Sequence, residues 1–177
     1  MASIEDLTAL VPPPPAFGHA IRDWEAIDSD LGFVTPRDYR AIVDAYGAGV
    51  FGGFLWLMLP ESNAKRLNMQ AEITAQRHVL RELAEFEEVP YEIESLIPCG
   101  ATNNGDTFFW RTNGFSASAQ WTIVVNSGRD PQWDEYQGNL LDFLVDVFSN
   151  RYKCQVFPED FPAEGDRNFA PLRQLSN

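Results

Sequence analysis

Between Leu31 and Pro60 the chain reads LGFVTPRDYRAIVDAYGAGVFGGFLWLMLP, and the apolar run Phe54–Leu59 within it leaves few choices of fold. A run that is short, rich in aromatics and closed by Pro60 suits a central strand buried on both faces. We therefore expect Val50 to Leu59 to form the first strand. Just upstream, Thr35-Pro36-Arg37-Asp38 reads as a helix start, with Thr35 as cap, Pro36 in the first helical position and Asp38 as capping-box partner. Tyr39, Ile42, Val43 and Tyr46 then recur at i, i+3, i+4 and i+7, one apolar stripe along one helix face. Gly47 ends that helix. Gly47 to Gly52 also spells G-x-G-x-x-G, but the dinucleotide fingerprint needs a strand before it and a helix after it. Here the order is reversed, so the glycines read as a turn.

Two shorter helices are expected before this unit. Ser3 can cap a segment with Ile4, Leu7 and Leu10 on one side, and Asp23 can cap one in which Trp24, Ile27 and Leu31 point inward before Gly32. Pro12 to Pro15 between them forces extended geometry. Residues 1–22 thus read as an N-terminal arm with a proline-rich spacer, 23–162 as one domain, and 163–177 as a C-terminal tail.

From Asn63 to Glu88 there is neither proline nor glycine, and one long helix is expected, with Ile73, Leu80, Leu83 and Ala84 inside. Its acids gather at the wrong end. Glu82, Glu85, Glu87 and Glu88 would oppose the helix macrodipole, so something other than helix stability tolerates or favours them. The second half reads as β structure. Asn104-Gly105 predicts a two-residue primed hairpin turn between strands ending near Thr102 and starting near Asp106. In Gln120 to Asn126, Trp121, Ile123 and Val125 alternate with Thr122, Val124 and Asn126. Ser127 to Tyr136 reads as a loop or a single helical turn. Asn139 should cap a last helix carrying Leu140, Leu141, Leu144, Val147 and Phe148 inward and Asp142 and Asp146 outward. Phe157 and Phe161 lie in a proline-rich segment expected to pack back as irregular chain. Helices first, a meander of strands and a closing helix describe an α+β domain, a mostly antiparallel sheet with helices packed on one face.

The chain has 13 basic residues against 26 acidic ones, a net charge of −13. That balance argues against nucleic acid or an anionic membrane as partner and fits a basic protein partner, or serves solubility. The start, MASIEDLTAL, has no basic n-region followed by an apolar run, and no stretch is long enough to span a membrane, so a cytoplasmic location is expected. Cys99 and Cys154 are expected as buried free thiols.

Few residues are arranged for chemistry. His19 and His78 lie in separate regions of the chain, and Asp130, Asp134 and Glu135 lack the spacing of a calcium loop. Gly114 to Ser118 lacks the second glycine of a nucleophile elbow. No metal, cofactor or catalytic constellation is expected. The candidate partner-binding residues are Glu85, Glu87 and Glu88 at the helix end, and Asp130, Trp133, Asp134, Glu135 and Tyr136 in the acidic loop, with Trp133 and Tyr136 as aromatic anchors. A carbohydrate-binding or carbohydrate-hydrolysing domain, using tryptophans flanked by carboxylates, is an alternative.

Four stretches taken in order resemble the SUKH superfamily, the Smi/Knr type of domain. They are Asp23 to Pro60, EEVPYEIESLIPCGATNNGDTFFW from Glu87 to Trp110, WTIVVNSGRDPQWDEYQGNLLDFLVDVF from Trp121 to Phe148, and CQVFPEDFP from Cys154 to Pro162. Cys99 stands where the pattern has tryptophan, and Asn103 where it has aspartate. The resemblance implies an α+β domain without enzymatic activity. It also implies an immunity protein that neutralises a polymorphic toxin, often a nuclease or deaminase, or else a regulatory scaffold of the cell-wall-assembly type. It carries over no residue-level site.

Overall fold

A computed structural model describes residues 1–15, 22–114 and 118–172. In chain order its elements are α1 (Ile4–Leu10), α2 (Trp24–Leu31), α3 (Arg37–Tyr46), β1 (Gly49–Phe51), β2 (Leu55–Leu57), α4 (Met69–Leu83), β3 (Leu96–Thr102), β4 (Thr107–Arg111), β5 (Thr122–Asn126), β6 (Trp133–Tyr136), α5 (Leu140–Phe148) and β7 (Phe169–Pro171). The strands form one sheet in the order β6-β5-β4-β3-β2-β1-β7. Every neighbouring pair is antiparallel. The fold is the expected α+β, a meander to which the last strand is added at the far edge.

Consecutive apolar residues in the central strands demand cover on both sides of the sheet. Phe108, Trp110, Ile123 and Val125 point to one face, where Tyr39, Ile42, Leu144 and Phe148 of α3 and α5 join them in the main core. Phe109, Val124 and Leu96 point the other way, into a smaller cluster closed by Leu80 of α4. The helices therefore lie on both faces, not on one. The sequence signal for this was Phe108-Phe109-Trp110, which cannot present a solvated face.

Several boundaries differ from expectation, each for a local reason. The 50–59 run is a hairpin and not a single strand. Gly52 and Gly53 have φ of 57° and 62°, and Phe54 N–H reaches Phe51 O at 3.0 Å, so the pair forms a tight left-handed turn that side chains would resist. The expected long helix starts at Met69, because the Asn68 side chain accepts from Ala71 N–H at 3.0 Å, and it stops at Leu83. A 3-10 turn, Lys65–Leu67, precedes it. The helix at Arg37 begins after Pro36 without a side-chain cap. Thr35 is fully buried and bonds Asp28 instead, alongside an Arg40–Asp28 ion pair. Asp38 caps a different helix, accepting from Leu141 N–H of α5 at 3.2 Å.

The ends also contribute to the core. Leu7 and Val11 are fully buried, and Tyr46 Oη donates to Val11 O at 2.6 Å, so the expected arm packs onto the domain. Within the expected tail, β7 pairs with β1, and Phe169 stacks on Tyr46 and Phe51. Phe157 and Phe161 pack against Phe54, as their hydrophobicity requires. Asn139 caps α5, and Cys99 and Cys154 are buried free thiols, as expected. His19 and Phe115 to Ala117 lie outside the described residues. No helix among them is long and apolar enough to cross a membrane.

The β3–β4 hairpin is present, but its turn is not the expected two-residue one. Gly105 N–H bonds Thr102 O at 3.1 Å and Thr102 N–H bonds Asp106 O at 2.9 Å. Only Gly105 is left-handed, with φ 92°, giving a three-residue loop with a glycine bulge. The turn is reinforced from within by Asp106, which is 2% exposed and takes a 2.6 Å bond from Thr102 Oγ1.

Candidate partner-binding surface

The last four residues of the expected acidic loop are a strand, half-buried against their own domain. Ser127 N–H closes a turn onto Gln132 O at 2.9 Å, and Trp133–Tyr136 forms strand β6 along β5. Trp133 packs on Tyr91 and Phe109, with ring centroids 5.3 and 6.4 Å away, and its indole nitrogen is buried without an acceptor among the described residues. Tyr136 packs between Phe143 and Tyr152, and its hydroxyl donates to Asp146 at 2.5 Å. Burial, then the Asp146 carboxylate, pushes its phenol well above the ordinary range. Both expected anchors are thus held by their own domain.

The neighbouring acids are similarly engaged. Asp134 accepts from Tyr152 Oη at 2.7 Å and from Gln155 N–H at 2.9 Å. Glu135 takes two bonds from Arg111, at 2.8 and 3.0 Å, and a third from Thr122 at 3.2 Å. Arg111 also lies 4.8 Å above the Tyr91 ring. Of this group only Asp130 is exposed, in the turn before β6. Glycine- and proline-containing SGRDPQ reads as a loop, but the alternation that would mark WDEY as a strand is too short to see.

The helix-end acids are placed differently. With α4 stopping at Leu83, Glu85, Glu87 and Glu88 lie in the turn that follows, closed by Phe86 and Glu87 N–H groups bonding Leu83 O at 2.9 and 3.0 Å. Glu85 and Glu88 are exposed and Glu87 is half-buried. Between them stands Phe86, 86% exposed, which sequence reasoning passed over. Leu83 at i−3 and Val89 at i+3 let the pattern place it in a buried stripe, so no local signal marks it. Val79 of α4 is also exposed, at 49%. His78 and Glu82 pair at 3.3 Å on the solvent side, and Arg81 binds Glu94 at 2.8 Å, which holds that carboxyl below its usual range. The two sets of candidates are joined through Tyr91, which follows the acidic turn and stacks on Trp133.

A second concave feature lies beside α4. A cleft of about 630 Å³ opens between that helix and the outer sheet face, with Trp56, Ala101 and Thr107 as floor and Glu72 and Gln76 as wall. Among the described residues no three His, Cys, Asp or Glu side chains gather as a metal site. No protein-family model, curated protein or solved structure matches the chain.

Proposed function

We propose that this chain is a non-catalytic protein-binding domain of the immunity type, which neutralises a basic toxin domain by covering its functional face. The observation that carries the reading is Phe86, 86% exposed in the turn that holds Glu85, Glu87 and Glu88. A large apolar ring left in water costs free energy that a partner's pocket recovers, and aromatic anchors ringed by polar residues are what binding hot spots use. The surrounding carboxylates complement a basic surface and steer it by long-range attraction. The net charge of −13 and the SUKH-like motifs support the same reading.

The test is whether the adjacent reading frame encodes a toxin that this chain neutralises on co-expression, followed by binding kinetics with that toxin from low to physiological salt. Phe86→Ala should speed dissociation and cost about 2 kcal/mol or more of affinity. Glu85→Lys with Glu88→Lys should chiefly slow association, and the slowing should fade as salt rises. Absence of a toxin frame that this chain rescues, or an on-rate indifferent to salt and to both reversals, sinks the proposal.

A further inference from the structure

The cleft beside α4 is built independently of the acidic turn. Trp56, Ala101 and Thr107 are cross-strand neighbours on β2, β3 and β4, so their side chains share the sheet face that carries Phe109 and Val124. Leu80 of α4 covers Phe109 and Val124, but the row through Trp56 stays open. Ala101 makes the floor recede between two larger residues.

Trp56 is fixed, not loose. Its Nε1–H donates to Asn103 Oδ1 at 2.7 Å, while Asn103 Nδ2 donates to Gly53 O at 2.6 Å and Asn103 N–H to Phe54 O at 3.1 Å. The indole is thereby tied to both hairpin turns and presents a pre-set aromatic plane. The cleft is also lined by Arg66, which makes no ion pair among the described residues, and by Glu72, whose carboxylate takes a 3.1 Å bond from Gln76. The charges cancel within the cleft: one guanidinium and one carboxylate.

We propose that this cleft binds a neutral sugar ring, stacked on Trp56 with its hydroxyls bonded to Arg66, Glu72, Gln76 and Asn103. The chemistry selects that class over others. An anion would meet Glu72, and a cation would meet Arg66. Each hydroxyl of a neutral polyol both donates and accepts, so it satisfies donors on Arg66 and Gln76 and acceptors on Glu72 and Asn103 together. The C–H face of a pyranose supplies the apolar surface that an indole plane takes up. The volume falls within the range of about 300–1,000 Å³ of small-ligand sites.

The experiment is a ¹H–¹⁵N titration of the full chain with D-glucose, D-galactose, D-mannose, N-acetyl-D-glucosamine and cellobiose, with inorganic phosphate and free L-arginine as charged probes. At least one sugar should move the Trp56 indole N–H and the Ala101 and Thr107 amides saturably. Trp56→Ala should abolish the shifts, and Gln76→Ala should weaken binding about tenfold, the loss expected of one or two hydrogen bonds. If Trp56→Ala does not fold, Arg66→Ala and Gln76→Ala, on the solvent side of the cleft, carry the same comparison. No saturable shift with any of the five sugars overturns the proposal. So do shifts that survive these substitutions unchanged, and binding of phosphate or arginine alone. Phe86→Ala should leave the sugar response intact, so this inference fails or stands apart from the partner-binding one.

Discussion

Asp106 is where the hairpin, the loop beyond it and the cleft are fastened together, so its removal is the most informative single change. One carboxylate oxygen accepts Thr102 Oγ1 at 2.6 Å, and the other accepts Gly128 N–H at 3.1 Å. Thr102 Oγ1 in turn accepts Asn104 and Asp106 N–H groups, each at 3.2 Å. Asp106→Ala leaves the buried Thr102 hydroxyl without its acceptor, and removes that of the Gly128 N–H, which belongs to an exposed residue where water can replace it in part. Bonds to a charged acceptor contribute about 1.5–3 kcal/mol each, and losing two costs about 3–6 kcal/mol gross. Relief from holding a carboxylate out of water returns part of that, and we expect a net loss of about 2–4 kcal/mol. For a chain of this size that corresponds to a fall in Tm of about 4–16 °C. Asp106→Asn keeps one acceptor, and because Thr102 Oγ1 already accepts two N–H groups, the new amide cannot replace the other; about half the loss should remain. Urea unfolding gives the free energies, and hydrogen exchange at Gly128 reports the specific bond. If Asp106→Ala unfolds within about 0.5 kcal/mol of the parent and Gly128 exchange is unchanged, the clasp contributes nothing and the reasoning is wrong.

Three further outcomes follow from other sites. Gly100→Ala should destabilise by about 3 kcal/mol or more, since an added Cβ would sit 1.9 Å from the buried Phe108 ring and 2.5 Å from Trp56 O, and Phe108→Leu in the same chain should recover part of the loss. Burial raises the Asp38 carboxyl above its ordinary value, with backbone N–H groups of Leu141 and Tyr39 offsetting this in part. The native state therefore holds that proton more tightly than the unfolded chain, and Asp38 costs stability increasingly as pH rises through its folded pKa. Asp38→Asn, which can still accept from Leu141, should gain on the parent over that rise in urea midpoints, and a variant that instead loses ground would show the carboxylate to be net stabilising at the start of α5. Phe86→Ala should change unfolding free energy by less than about 0.5 kcal/mol, because its ring is already in water; a larger drop would place it in a fold contact.

What the sequence made legible was whatever local chemistry decides alone. Ser3, Asp23 and Asn139 cap the helices they were expected to cap, and the alternation around Trp121 sorts its residues onto the two faces they occupy. Where a residue's partner is distant in sequence, local pattern misplaces it. Thr35 was matched to the adjacent helix, yet a buried hydroxyl bonds where the strongest acceptor is, and that is Asp28. Trp133 looked free because its loop is polar, but its neighbours Tyr91 and Phe109 come from other strands and segments. Gly105 did mark the hairpin tip. The side chain of Thr102, bonding inside the turn, favours the three-residue form over the primed one that Asn-Gly alone suggests. Phe86 was passed over for the opposite reason, since nothing local distinguishes an exposed aromatic from one that a distant element will cover.

The acids then divide by use, and the division decides how a binding experiment can be read. Asp28, Asp106, Asp134, Glu135 and Asp146 are hydrogen-bonded to their own domain, whereas Glu85, Glu87, Glu88 and Asp130 make no side-chain hydrogen bond among the described residues. Reversing a member of the first set attacks the fold. Glu135→Lys, for instance, breaks the Arg111 pair, whose side chains are 33% and 21% exposed, and sets two cations against each other beside Tyr91. It should destabilise by about 2 kcal/mol or more, whereas Glu88→Lys should stay within about 0.5 kcal/mol. Lost partner binding in Glu135→Lys would therefore say nothing about the interface unless its unfolding curve matches the parent's. Lost or slowed binding in Glu88→Lys at unchanged stability would locate the interface at the acidic turn. If the two variants unfold alike, the separation of structural from available charge is mistaken, and the surface around Phe86 loses its claim to be the one the partner meets.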